Sequence, residues 1–221
     1  MATPWTAGAP RRARWAALGV LGVGALAMLG RLPLTSAAFT ATTASSGSSF
    51  AAASSFCASP GSTTTSVVND TMVVQKSPDA TFGSASPIEV RSHLNDNKRV
   101  FVRPSIPTIG ARCHFTSAVL TFTVVGFRGG RTYDVYRAAA DWNVNTLTWN
   151  NKPGLAGVPA SAAITSGSWS VDVTSHVQAL AGGTNVGLVV KDATEDSAAD
   201  LNNKLGSIDG GQAATITFTW G

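Results

Sequence analysis

The chain is poor in the side chains that most enzymes use for acid–base and nucleophilic chemistry. Glutamate occurs only at Glu89 and Glu195, and the three histidines, His93, His114 and His176, are scattered along the sequence. Neither a G-x-S-x-G nucleophile turn nor an H-E-x-x-H zinc helix occurs. A glycosidase needs two carboxylates at a defined separation in space, and nothing in this pattern supports such a pair. The sequence therefore predicts a protein without catalytic activity.

The chain also lacks a basic surplus outside its N-terminal region. Residues 1–38 hold four of the 16 basic residues and no acid, which leaves 12 basic residues against 12 acidic ones in the remainder. A near-neutral chain has no basic stripe with which to neutralise phosphates. Nucleic acid is therefore not expected as a partner.

The N-terminal region has the order of features that is typical of an export signal. Arg11, Arg12 and Arg14 precede an apolar run over residues 16–30, and small residues follow at 36–38. The run is shorter than the ~20 apolar residues of a membrane span, although an uncleaved anchor is the alternative. We expect residues 1–38 to be a signal peptide, contact with the membrane only through it, and an extracellular or cell-surface location.

Residues 37–43 and 48–52 read Ala-Ala-Phe-Thr-Ala-Thr-Thr and Ser-Ser-Phe-Ala-Ala. They resemble the start of camelysin-like and TasA-like proteins, whose precursors are handled by a SipW-type signal peptidase. This resemblance supports export. It also leaves open an alternative function as a structural surface or matrix protein of the TasA type, without a small ligand.

Cysteine occurs only at Cys57 and Cys113. In an oxidising compartment an even pair suggests one disulfide, which would tie the N-terminal segment to the domain. Two buried free thiols are the alternative.

The remaining chain alternates between turn residues and short apolar runs. Residues 39–66, rich in Ala, Ser and Thr, are interpreted as a linker or a loosely attached strand. Residues 118–124 alternate apolar and polar with period two, as do residues 215–220, while His176 to Ala181 can form a short helix capped by Thr174 or Ser175. We predict an all-β fold over residues 67–221, a single β-sandwich or jelly roll of short antiparallel strands with one short helix.

The most distinctive run is Asp141-Trp142-Asn143-Val144-Asn145-Thr146-Leu147-Thr148-Trp149-Asn150-Asn151-Lys152-Pro153. Thr146 to Thr148 suggests a short strand, and the Asn-Asn-Lys-Pro tail favours a turn. The run resembles the DW…TWNN(Q/K)P stretch of the DNRLRE domain family, extracellular β-sandwiches grouped with carbohydrate-binding modules. Weaker pieces in the same order resemble that family at residues 79–83, 113–120, 169–178, 185–188 and 214–220.

This resemblance implies a non-catalytic module that binds polysaccharide or cell-wall glycan, and we expect it to be a monomer. An enzyme such as a polysaccharide lyase fragment is a third possibility, which the lack of a convergent Lys/His/Tyr motif argues against. The chain departs from the family where Arg103-Pro104 replaces an expected Phe-Asp. It also lacks a Ser-Arg-Glu motif around residues 205–209.

Aromatic rings are the main candidates for sugar contact because flat rings stack on sugar faces. Trp142, Tyr136 and Asp141 are the predicted carbohydrate-binding residues, with Trp142 at the mouth of a loop. Trp149 and Trp169 are expected to pack in the core instead.

The acidic stretch with Asp192, Asp196 and Asp200 could supply oxygen ligands for calcium, although it lacks the EF-hand spacing. A solvated acidic loop is the alternative. No other cofactor is expected.

Overall fold

The structure is a computed structural model that describes residues 56–221. This part of the chain forms ten strands and one helix, and every strand pairing is antiparallel. The strands are β1 (Gly61–Val74), β2 (Ile88–Ser92), β3 (Lys98–Pro104), β4 (Phe115–Gly126), β5 (Thr132–Ala138), β6 (Leu155–Ala163), β7 (Gly167–Asp172), β8 (Leu188–Asp192), β9 (Leu201–Leu205) and β10 (Thr215–Trp220), and the helix α1 is Thr174–Ala181.

Strand β1 takes part in both layers of the fold. Residues 61–66 pair with β10, with Gly61 opposite Trp220, and the remainder of β1 pairs with β3. The register shifts between Val67 and Asn69, an irregularity of the kind that bends a strand. In the first sheet the first half of β1 pairs with β10, β10 with β4, and β4 with both β7 and β9, and β2 follows β9. The second sheet contains the second half of β1, β3, β8, β5 and β6.

The main core lies between the two sheets. On β4 the predicted alternation is confirmed, because Ala118, Leu120, Phe122 and Val124 are buried while the residues between them are not. The second sheet contributes eight residues to the same cluster: Met72, Val74, Val100, Val102, Tyr133, Val135, Leu188 and Val190. The predicted all-β sandwich is therefore confirmed.

The disulfide between Cys57 and Cys113 is formed, as predicted. It joins the residues just before β1 to the loop just before β4. The polypeptide between the two cysteines includes β1, β2 and β3, so the bond closes a long loop around half of the second sheet.

Three local expectations differ from the structure. Residues 61–66, interpreted as linker or loose strand, belong to the domain because backbone pairing with β10 needs no apolar side chains. Thr146 to Thr148 is not a strand, because the Asn143 carbonyl accepts from the amides of Thr146 and Leu147 and curls the chain. Helix α1 starts at Thr174 without a side-chain cap, since the Thr174 hydroxyl oxygen accepts from the Ala118 amide instead.

The expected signal segment and residues 39–55 lie outside the described residues. Among residues 56–221 there is no helix of the length and apolar character that a membrane span requires.

Candidate functional site

The Trp-rich run covers the outer face of the second sheet. Strands β1, β3, β8 and β5 direct a second set of apolar side chains away from the main core. These residues form a cluster with Trp142 and Leu147 of the run; its sheet members are Val73, Phe101, Val189 and Ala138. The run after β5 therefore packs against the sheet as a lid on a small outer core.

Trp142 is the anchor of this outer core. Its indole is 7% exposed, meets the Phe101 ring edge-on at 5.7 Å, and lies under the Arg103 guanidinium at 5.0 Å. The Nε1–H donates to the Val186 carbonyl at 2.8 Å. The expected open ring at a loop mouth is therefore corrected: Trp142 is a packing residue because the sheet beneath it is apolar on its outer face as well.

Gly187 makes room for the Trp142 indole. Its φ of +79° lies in the left-handed region, and an added Cβ would come 2.7 Å from the Val102 carbonyl oxygen and 3.1 Å from the Trp142 Nε1. Glycine is the residue that both the backbone angle and the close approach require.

Gly187→Ala is expected to lower the free energy of unfolding by more than the 1–2 kcal/mol or so that a left-handed backbone alone costs an L-residue. Thermal unfolding followed by circular dichroism measures the change. Gly167→Ala is the matched control, because Gly167 has a φ of +86° with nothing within 4 Å of the added Cβ. Equal losses in the two variants would contradict a specific contact at Gly187.

Two asparagines of the run, Asn150 and Asn151, fix its conformation. Asn151 Oδ1 accepts from the Thr148 amide at 2.7 Å, and its Nδ2 donates to the Thr146 carbonyl at 2.8 Å. Asn150 Nδ2 donates to Asp79 at 2.7 Å, which fastens the predicted turn to the segment after β1. Side-chain amides that replace backbone partners are typical of such turns, so the turn prediction is confirmed.

Trp149 lies at the other end of the run and is half-buried. The Arg99 guanidinium is 5.1 Å from its ring centre, and the Lys152 ammonium is 3.8 Å away. Burial, together with the nearby Arg99 charge, lowers the pKa of Lys152. Trp149 thus packs against the outer core but is only partly buried, with two cations beside its ring. The core assignment of Trp169, which is 1% exposed, is confirmed.

Tyr136 stands on the outer face of β5 beside the same Arg99. Arg99 forms a two-pronged ion pair with Glu195 at 2.7 Å for both contacts. Burial and the neighbouring carboxylates of Asp134 and Glu195 raise the pKa of the Tyr136 hydroxyl. Arg99 therefore contacts the Trp149 ring while its charge also acts on Tyr136, and the Tyr136 hydroxyl stays protonated at neutral pH.

Asp141 marks the opposite end of the run. Its carboxylate accepts from Arg103 at 2.7 Å, and this bond lowers the pKa of Asp141. The side chain is 68% exposed and borders a small cavity of about 220 Å³. The cavity is lined by Asp141, Trp142, Asn143, Thr146, Leu147 and Asn151.

The two ends form one strip along the outer side of β3, which we call the loop strip: Tyr136, Trp149, Arg99, Glu195, Lys152, Arg103, Asp141 and the exposed part of the run between them. Arg99 and Arg103 are four residues apart, which is about 13 Å in an extended strand. Among the hydrogen bonds of residues 56–221, none uses the side chains of Asn145 or Thr146, which are exposed between the ends. The strip thus offers ring, charged and amide groups over the length of an oligosaccharide.

The three predicted calcium ligands do not come together. Asp192 is bound by Arg131 at 2.6 and 2.8 Å, and Asp200 by Arg91 at 2.7 Å for both contacts. Asp196 accepts from Asn97 at 2.7 Å. In the part of the chain that the structure describes, no group of three His, Cys, Asp or Glu side chains is arranged to hold a metal. The calcium prediction is corrected because separate cations and amides already use these carboxylates.

A larger cavity of about 660 Å³ lies at the end of the sandwich beside Cys113, between the loop after β3 and the end of α1. Its lining is mainly apolar and contains one aromatic ring, Phe115, which is 3% exposed. We assign the site to the loop strip instead, because sugar recognition needs accessible ring and polar groups together.

Arg99, Glu195, Arg103 and Lys152 were not predicted as site residues. Arg99 and Arg103 stand at alternate positions of β3, so they share one face, but their partners come from distant parts of the chain. The alternation was the only signal in the sequence that could have indicated them.

The described chain is thus a β-sandwich with ring, charged and amide side chains along its loop strip. The family model of carbohydrate-binding module family 96 matches residues 61–212, and the chain belongs to this family. A search of curated proteins returned no match. Modules of this class are generally non-catalytic and often extracellular, and the disulfide is consistent with an oxidising environment.

Proposed function

We propose that the protein is a non-catalytic module, secreted or held at the cell surface, that binds polysaccharide or cell-envelope glycan through the loop strip. The observation that carries this proposal is that Trp149 and Tyr136 are two partly exposed rings on the side of the second sheet where Arg99, in contact with Trp149, forms an ion pair with Glu195. Rings supply apolar contact to a sugar face, while guanidinium and carboxylate groups exchange hydrogen bonds with its hydroxyls.

The proposed sugar-contacting residues differ from the predicted set of Trp142, Tyr136 and Asp141. Tyr136 and Asp141 keep the sugar-contacting role that the sequence suggested, one at each end of the strip. Trp142 supports them from beneath, since its carbonyl accepts from Arg103 at 2.7 Å and its indole holds the loop on the sheet. Trp149 takes its place as the second ring.

Tyr136→Ala is expected to weaken glycan binding about tenfold or more, because one ring contact and one hydroxyl are lost, and tenfold corresponds to about 1.4 kcal/mol. The measurement is retardation of the full chain in affinity gels with soluble starch, β-glucan or polygalacturonate, and sedimentation with purified cell walls. Tyr136→Phe keeps the ring and should retain most of the binding.

Phe56→Ala is the matched control for loss of an exposed ring, since Phe56 is 72% exposed and lies before β1. Binding that survives Tyr136→Ala unchanged would move the site away from the strip. Absence of retardation and sedimentation with every glycan would contradict the proposed function itself.

The edge of the second sheet bears on the alternative of an assembling matrix protein. Strand β6 is one edge strand of this sheet, and its register with β5 shifts between Val135 and Arg137, opposite Gly157, Val158 and Pro159. Proline and a bulge are devices that prevent an edge strand from pairing with another chain. Strand β6 is therefore protected against pairing with another chain, which argues against assembly through this edge.

A further inference from the structure

The outer face of the first sheet is covered with hydroxyl groups. Four neighbouring strand segments contribute: the first half of β1, β10, β4 and β7. Of fourteen outward positions over residues 62–66, 117–125, 168–172 and 215–219, eleven are serine or threonine, and the other three are Val119, Val125 and Asp172. We call this surface the hydroxyl face; its Ser and Thr members are Ser62, Thr64, Ser66, Ser117, Thr121, Thr123, Ser168, Ser170, Thr215, Thr217 and Thr219.

The strand register arranges these residues in rows across the sheet. One row runs Ser66, Thr215, Thr121 and Ser170, and the next runs Thr64, Thr217, Val119 and Asp172. Neighbouring strands are about 4.8 Å apart and alternate residues of one strand about 6.7 Å apart. The hydroxyls therefore repeat in two directions over a patch of about 15 by 13 Å.

Neighbouring hydroxyls are already paired across the strands. The Thr64 and Thr217 oxygens are 2.9 Å apart, and those of Thr121 and Ser170 are 2.8 Å apart. β-Branched threonine is also stiff at its first side-chain torsion. The face is thus pre-organised, so a ligand that binds to it immobilises few side chains.

Charge is nearly absent from the hydroxyl face. Its one carboxylate, Asp172, is at a corner and accepts from the amide and hydroxyl of Thr174. Charged outward residues lie on the neighbouring strands β9 and β2, where Glu89 forms ion pairs with Lys98 and Lys204. Such a face has no electrostatic preference for an anionic partner and lacks the aromatic centre typical of protein interfaces.

No described cavity includes a residue of the hydroxyl face. A ligand would lie against it instead of entering it. Apolar contact is available at one end, where Val125 is 44% exposed on β4 and Phe127 just beyond it is 43% exposed. A hydroxyl both donates and accepts, and so does every hydroxyl of a sugar.

We propose that the hydroxyl face is a second binding face, which lies against the surface of a neutral, insoluble polysaccharide. This inference rests on the carbohydrate-binding function and adds a site on the opposite sheet from the loop strip. The strip would take individual glycan chains by its rings and charges. The hydroxyl face would hold the module on a packed array of uncharged chains.

The test is sedimentation of the full chain with microcrystalline cellulose and with chitin. Thr217→Lys puts a long charged side chain at the centre of the face and is expected to lower the partition coefficient at least tenfold. Thr217→Val keeps the shape, removes the hydroxyl and should lower it by a smaller factor. Ala163→Lys adds the same charge on exposed β6 of the other sheet and should bind as the unchanged chain does.

Three outcomes would overturn the hydroxyl face as a site. They are unchanged sedimentation of Thr217→Lys, an equal loss in Ala163→Lys, and no sedimentation of the unchanged chain with either solid. Binding of Tyr136→Ala to the soluble glycans and to the solids distinguishes a wrong hydroxyl-face proposal from a wrong proposed function. If Tyr136→Ala no longer binds the soluble glycans and the unchanged chain does not sediment with either solid, the loop strip is supported as a site and the hydroxyl face is refuted. If Tyr136→Ala also abolishes sedimentation with the solids, one site serves both and the second face is refuted.

Discussion

Trp142→Ala is expected to lower the free energy of unfolding by about 3–5 kcal/mol, the range for removal of a large buried aromatic side chain. The indole is 7% exposed, packs on Phe101 and satisfies the Val186 carbonyl. Without it the outer core between the run and the second sheet loses its largest member. Urea unfolding followed by far-UV circular dichroism gives the change without relying on tryptophan fluorescence.

Trp142→Phe is the informative companion. It keeps a ring against Phe101 and removes only the Nε1–H donor and part of the volume, so a smaller loss than in the alanine variant is expected. An unfolding midpoint of Trp142→Ala equal to that of the unchanged chain would contradict the anchoring role. The alanine variant should also bind glycan more weakly, because Asp141 and Trp149 sit on the loop that Trp142 fastens. Loss of binding in this variant alone therefore does not identify a sugar contact.

Loss of the disulfide is the second large effect. The double variant Cys57→Ser/Cys113→Ser is expected to be about 3–4 kcal/mol less stable, because a bond between residues 56 positions apart strongly restricts the unfolded chain. Urea unfolding under oxidising conditions compares the double variant with the unchanged chain. Reductant should lower the midpoint of the unchanged chain to the same value and leave the double variant unaffected. A midpoint that reductant does not move would show that the bond contributes no stability.

Local pattern was sufficient to predict the strands that form the centre of the first sheet. Alternation on β4 and β10 follows directly from burial on one face and solvent on the other, so the period of two is visible in the sequence. The same logic fails on β3. There Val100 and Val102 face the main core while Phe101 faces the outer core, so no alternation reveals that the strand is covered on both sides.

The proposed loop strip could be predicted only in part, because its residues come from one short run and from distant strands. Asp141 and Tyr136 were proposed from their type and from the resemblance around the run. The burial of Trp142 could not be predicted, since a tryptophan in a loop is recognised as covered only when the sheet beneath it is known to be apolar outside. Likewise Asp192, Asp196 and Asp200 are close in sequence, but Arg131, Asn97 and Arg91 draw them to different places.

The position of the disulfide has a mechanical consequence. Gly61 pairs with Trp220, so the first and last strands would separate one hydrogen bond at a time if β1 were pulled from its N-terminal end. Cys57 lies ahead of that end and is covalently attached to Cys113. Tension applied to the residues before Cys57 passes through the sulfur bridge into the loop before β4, the central strand of the first sheet. The disulfide therefore protects the pairing of β1 with β10 from stepwise separation. A force applied from the N-terminal side acts instead on β4, which pairs with three other strands.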